Sequence, residues 1–247
     1  MNFFSLFKRN LIYKFKKKIS IDNDGINFKS LDSLFHHYES DKSNIFKKTG
    51  NKGHGYSKFY ENKLISFKEK KINILEIGSY AGSSAASFVK YFPNSKVFCF
   101  DVNISNFKLK SAKIHVFGLD INDEKKVKKT LDKIYKSHNF KNFDIIVDDG
   151  SHNLKDILIG LKYFFKYLNT KGLFVIEDFK LPNYHKYNRD IDHVLIDQFL
   201  ENLRNKKISY SNVLSKHDQI DLIHSIQSIE MFKGNLIDSD ICFIEKK

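Results

Sequence analysis

The chain has 247 residues, enough for one large domain or for one domain with an appendage. Hydrophobic residues make up 41%, which excludes wholesale disorder, and no apolar run approaches the roughly 18 residues that a membrane-spanning helix needs. The net charge of +13 is carried almost wholly by lysine. Only three of the 42 basic residues are arginine, so the bidentate contacts that nucleic-acid readers favour are scarce and no nucleic-acid partner is expected.

Residues 1–27 form a basic extension in which Phe3, Phe4, Phe7, Leu11 and Phe15 alternate with Lys8, Arg9, Lys14, Lys16, Lys17 and Lys18. No acid occurs in residues 1–20, so +6 of the net charge lies there. Such a stretch can lie on an anionic membrane surface or dock as a helix on its own domain. The second arrangement, or a loose tail, is the expectation. The apolar start FFSLF is too short for a signal-peptide core.

Residues 28–70 read as a helical cap: helix, polar loop, helix. Gly50, Gly53 and Gly55 fall within six residues, so this loop is expected to be mobile or shaped by a ligand, with His54 and Tyr56 as its chemical handles.

From residue 71 to 247 strands and helices alternate. INILEIG, KVFCFDV, KIHVFGLDI, FDIIVDDG and GLFVIEDF read as strands. SSAASFVKYF (stopped by Pro93), DEKKVKKTLDKIYKSH, NLKDILIGLKYFFKYL and IDHVLIDQFLENLR read as helices. SIQSIEMF and SDICFIEK close the chain as two strands joined near Gly234. This pattern implies an α/β fold with a mostly parallel seven-stranded sheet, an antiparallel last strand and helices on both faces. Cys99 and Cys242 sit inside apolar strand runs, form no disulfide framework or zinc cluster, and fit a reducing, cytoplasmic setting.

The chemistry gathers at strand ends. In Glu76-Ile77-Gly78-Ser79-Tyr80-Ala81-Gly82, the two glycines bracket a tight turn into a helix N-terminus, where a ligand can approach the backbone. Asp101 ends the next strand, where an acid can accept ribose hydroxyls, and Asp120 ends the third. The glycine spacing is not the closely set triplet that a pyrophosphate requires. A nucleoside without phosphate, S-adenosylmethionine (SAM), fits it better.

Downstream, Asp148-Asp149-Gly150-Ser151-His152 and Glu177-Asp178 end adjacent strands. Asp149, Glu177 and Asp178 would repel one another unless a cation lay between them, and oxygen donors suit Mg2+, with Mn2+ or Ca2+ as alternatives. His152 opens a helix, whose dipole favours the neutral imidazole that a general base needs.

At these residues the sequence resembles class I SAM-dependent methyltransferases. Among them it is similar to the metal-dependent sugar O-methyltransferases of macrolide biosynthesis (mycinamicin and macrocin type) and their relatives in surface-glycan gene clusters. The resemblance runs from about Ser40 to the C-terminus, on SDK at Asp41, HGY at His54–Tyr56, LEIGSYAGSS, FCFDV, FDIIVDDGSH and FVIEDF. It implies a Rossmann-like domain with Mg2+ on Asp149, Glu177 and Asp178, and His152 as general base. Glu76, Gly78, Ser79, Tyr80, Gly82, Asp101, Asp120 and Asp148 become the candidate cofactor set. It also implies a loop carrying His54 and Tyr56 that closes over cofactor and acceptor. Tyr80 stands where that family commonly has glycine, and no auxiliary domain of the macrolide enzymes is visible.

The expected activity is methyl transfer to a hydroxyl of a sugar or sugar-derived small molecule, by a protein able to form homo-oligomers. The alternatives are an amine, phosphoramidate or lipid-linked acceptor, or a non-catalytic nucleoside- or metal-binding protein.

Overall fold

A computed structural model of the chain describes residues 3–180 and 194–247. Seven strands form the main sheet: β2 (Ile72–Ile77), β3 (Ser95–Asp101), β5 (Ile114–Gly118), β6 (Phe143–Asp148), β7 (Leu168–Glu177), β8 (Ile226–Lys233) and β9 (Asp240–Lys246). Their spatial order is β5-β3-β2-β6-β7-β9-β8. Strands β5 to β7 pair in parallel, whereas β9 runs antiparallel to both of its neighbours. The expected sheet, with its antiparallel last strand, is therefore the observed one. A two-residue parallel pair, β1 (Ile19–Ser20) with β4 (Leu109–Lys110), lies outside it.

Among the described residues the helices are α1 (Phe3–Phe15), α2 (Leu31–His37), α3 (Ser57–Leu64), α4 (Ser83–Tyr91), α5 (Glu124–His138), α6 (Leu154–Phe164), α7 (Ile196–Arg204) and α8 (Lys216–Ser225). Residues 191–193 of the expected helix IDHVLIDQFLENLR lie outside the described residues. Helix α4 stops two residues before Pro93, as its ring requires. Asp123 and Asn153 cap α5 and α6 by accepting backbone N–H groups of Lys126 and Asp156.

The sequence reading stops short of α8, which carries a signal of its own. Ser215 and Asp218 form a reciprocal capping box at its start. It also runs α6 too far: after Phe164 the chain passes through a 3-10 turn, and Leu168 already pairs with Phe143 at the start of β7.

Period-two alternation divides each central strand between two apolar layers. Leu75, Ile77, Phe98, Phe100, Phe174 and Ile176 face α5 to α8. Ile74, Val97, Cys99, Val147 and Val175 face the other way, and there Leu34, Phe35, Tyr56 and Tyr60 of the cap join the same core. The strand order reverses at β2, which has β3 on one side and β6 on the other. In open α/β sheets the crevice beyond the carboxyl ends at such a reversal is where ligands bind.

Candidate active site

A cavity of about 570 Å3 opens at that reversal. This is within the range of about 300–1,000 Å3 typical of cofactor pockets. Gly78 and Asp149 form its floor: Gly78 N–H donates to Phe100 O and Asp149 N–H to Ile77 O, fixing both strand ends side by side. Gly78 has φ 84°, and a Cβ there would lie 2.0 Å from the carbonyl oxygen of Asp149, so no other residue fits. Gly82, also at φ 84°, abuts the Phe107 ring and starts α4 without lining the cavity.

Ser79, Tyr80, Asp101 and Asp120 line the same cavity. Asp101 is held by two backbone donors, Tyr80 N–H at 2.7 Å and Asn103 N–H at 2.5 Å, which fix its carboxylate at the rim. Two members of the expected cofactor set lie behind the wall. Glu76 is fully buried and accepts from the Ser84 hydroxyl in the first turn of α4. Asp148 points beneath α6, where a Cβ on Gly160 would lie 2.6 Å from its Oδ2. Among the described residues that oxygen has no hydrogen-bond partner, and burial pushes the Asp148 pKa up to about 7.

At the acidic end of the cavity, Asp149 and His152 of its lining meet Asp178, which is not itself part of the lining. One ligand atom from each lies within 4.8 Å of the other two. The two carboxylates are oxygen donors of the kind that suit Mg2+ or Mn2+, whereas the imidazole is a poor ligand for Mg2+. His152 Nε2 is 3.8 Å from Asp149 Oδ1, and its Nδ1 is 3.3 Å from the Glu177 carbonyl oxygen. His152 sits just before the cap Asn153 rather than inside α6.

Three residues around this centre have left-handed backbones: Tyr80 (φ 41°), His152 (φ 58°) and Asp178 (φ 51°). For side-chain-bearing residues this conformation costs on the order of 1–3 kcal/mol each and persists where the surroundings enforce it, commonly at functional sites.

Glu177, expected beside Asp149 and Asp178 as a metal ligand, is otherwise engaged. One oxygen meets the Lys42 ammonium and the other accepts from the Tyr60 hydroxyl. Lys42 reaches Asp149 as well, at 2.5 Å. Burial opposes the charge on Lys42, but Asp149 and Glu177 outweigh it and keep the amine protonated. A cation built into the chain thus already sits between two of the three carboxylates. Neither Lys42 nor Tyr60 is among the residues the sequence singles out. Lys42 lies in the SDK triplet, yet a lysine in a polar loop reads as a solvated one.

The glycine-bearing loop is tied down rather than loose. His54 N–H donates to Asp41 O, Gly55 N–H to Ser43 O and Tyr56 N–H to Lys42 O. His54 and Tyr56, expected to touch the acceptor, turn to Asp178 and do not line the cavity. The Tyr56 hydroxyl donates to Asp178, and His54 Nδ1 lies 3.2 Å from Asp178 Oδ1 and 2.8 Å from Ser239 Oγ. Burial disfavours a charged His54, but its bond to Asp178 and the charge there prevail and raise its pKa to about 9.

The match to solved structures decides the architecture. A crystal structure titled MycE methyltransferase from the mycinamycin biosynthetic pathway, in complex with Mg and SAH, superposes with a TM-score of 0.65 at 19% identity, covering 89% of this chain and 55% of that one. The fold is that of a class I methyltransferase.

Among curated proteins, 8-demethyl-8-alpha-L-rhamnosyl tetracenomycin-C 2'-O-methyltransferase of Streptomyces olivaceus is 26% identical over 162 residues, 63% of this chain and 39% of that protein. Mycinamicin VI 2''-O-methyltransferase of Micromonospora griseorubida is 25% identical over 132 residues, 51% of this chain and 31% of that protein. The chain thus matches well under half the length of these curated relatives. No protein-family model matches the sequence.

Proposed function

We propose that the protein is a SAM-dependent O-methyltransferase, assisted by Mg2+, that methylates a hydroxyl of a sugar or sugar-derived small molecule. The observation that carries this reading is that Gly78, Asp101, Asp149 and His152 line one cavity of a methyltransferase fold, with Asp178 grouped beside Asp149 and His152. The similarity to sugar O-methyltransferases supports the acceptor class.

The chain's own residues divide the work. The Gly78 turn would leave room for the methionine portion of SAM, and Asp101 would accept from its ribose hydroxyls. Asp149 and Asp178 supply the anionic side of the metal site, with Tyr56 and His54 fixing the direction of the Asp178 carboxylate. His152 takes the proton of the acceptor hydroxyl. When bound, SAM supplies an electrophilic methyl with a good leaving group, and a divalent ion supplies Lewis acidity toward the acceptor oxygens. Alignment of these groups within the cavity reduces the entropic part of the barrier.

Calorimetric titration tests the reading directly. SAM is expected to bind with or without Mg2+ and NAD not to bind. Methyl transfer to sugar hydroxyls is expected to stop in EDTA and resume with Mg2+. Failure to bind SAM overturns the proposal, and turnover that survives exhaustive chelation removes the metal from it.

A further inference from the structure

Helix α1 docks on the domain by the side that its composition would leave outside. Leu6 is buried, Asn10 Nδ2 donates to Gly118 O at 3.2 Å, and the Tyr13 ring meets Phe107 edge-on. Lys16 reaches Ser105 O at 2.8 Å and Arg9 reaches Val102 O at 3.2 Å. The opposite side carries Phe4, Phe7, Leu11, Ile12 and Phe15 at helical spacing in one stripe, and all are exposed, Phe7 at 59% and Phe15 at 76%. Ile19, 62% exposed, is a further apolar residue shortly after the helix end. Lys8, Lys14 and Lys17 are exposed around it.

We infer that this face is a membrane-contact surface that seats α1 in the headgroup layer of an anionic bilayer. Exposed apolar side chains gathered on one face of a folded domain mark an interaction site. Its flanking lysines are what a helix lying in the plane of a negatively charged surface uses. The charge also argues against a second copy of the chain as occupant, because two segments of six basic residues and no acid would be brought together. The contact is peripheral: none of the described helices is long and apolar enough to cross a membrane. Since Val102 lines the cofactor cavity and Arg9 holds its carbonyl, a seated α1 brings the rim of the active site to the membrane surface.

Co-sedimentation of the full chain with lipid vesicles tests the inference. Vesicles containing phosphatidylglycerol are expected to bring the protein down, and vesicles of phosphatidylcholine alone to leave it in solution. Raising salt from about 50 mM to about 500 mM should weaken the binding at least tenfold, because the attraction is screened. Phe7→Ser with Phe15→Ser, and separately Lys8→Gln with Lys14→Gln and Lys17→Gln, should each abolish it while leaving the thermal midpoint unchanged, since these side chains are exposed. The inference is overturned if phosphatidylglycerol vesicles fail to sediment the wild type at low salt, or if binding survives the double phenylalanine variant. It is equally overturned if the wild type is a dimer that this variant dissociates, which would make the face a contact between copies.

Discussion

The Lys42 ammonium lies 2.5 Å from Glu177 Oε2, with both side chains almost completely buried. These residues are 135 positions apart in sequence, and the contact joins the cap loop to the end of β7. With the second contact, to Asp149, Lys42 stands in for one positive charge at the candidate metal centre.

Replacing Lys42 by Met should therefore move two quantities in opposite directions. Removing one partner of a buried ion pair typically costs about 3–5 kcal/mol, so the metal-free variant should unfold well below the wild type. The carboxylates it leaves behind gain one uncompensated negative charge, so Mn2+ should bind about tenfold more tightly. Saturating Mg2+ should return much of the lost stability by mass action. Manganese titration followed by electron paramagnetic resonance and thermal unfolding with and without Mg2+ check both. Weaker metal binding in a folded Lys42→Met would show that Lys42 supports the metal site rather than competing for it.

Removing the Asp101 carboxylate tests the cofactor half alone. Charged hydrogen bonds contribute about 1.5–3 kcal/mol, so Asp101→Ala should weaken SAM binding by about tenfold or more. Its thermal midpoint should change little, because the backbone donors it frees, at Tyr80 and Asn103, sit at an open rim. Unchanged SAM affinity would remove Asp101 from the site.

The parts of the site that were legible in the sequence are those placed by local rules. Asp101 ends, and Gly78, Asp149 and Asp178 directly follow, strands whose apolar runs are unmistakable, and parallel pairing brings such ends together. Within the Asp148–Asp149 pair, the reading that puts both to use goes too far. Successive strand residues point to opposite sides, so Asp149 enters the cavity and Asp148 goes under α6. The roles of Lys42, His54, Tyr56 and Tyr60 depend on contacts across 107 to 135 positions, which no local pattern encodes. The outward apolar face of α1 is a similar case. Its helical spacing is plain in the sequence, but periodicity alone assigns that stripe to a core.

His54 gives the metal-free protein a pH signature. Its pKa is raised in the folded state from 6.5 to about 9, so its charged contact with Asp178 stabilises fully below about pH 6.5 and is lost as pH rises through about 9. His54→Gln cannot take part in this linkage. In EDTA, the stability gap between wild type and His54→Gln should be largest near pH 6.5, at about 1–3 kcal/mol, and should shrink steadily toward pH 9.5. Urea unfolding across that range measures it. A gap independent of pH would mean that His54 acts through packing alone.

His152 is within ligand distance of Asp149 and Asp178 and is also the candidate base, so the two roles must be separated. The variant has to respect the backbone: at φ 58° alanine would add strain of its own, whereas asparagine adopts the left-handed region readily and brings no base. If His152 is the base, His152→Asn should bind SAM and Mn2+ with near wild-type affinity, yet turn over about 10²–10⁴-fold more slowly. Added Mg2+ should not rescue it, because mass action refills a weakened metal site but cannot replace a missing proton acceptor. Asp149→Asn and Asp178→Asn provide the contrast. Each removes a negative donor, so Mn2+ should bind about tenfold or more weakly and raised Mg2+ should recover part of the activity. If His152→Asn behaves like these two, with weakened metal binding and activity restored by Mg2+, the imidazole is a ligand. The acceptor proton must then leave by another route.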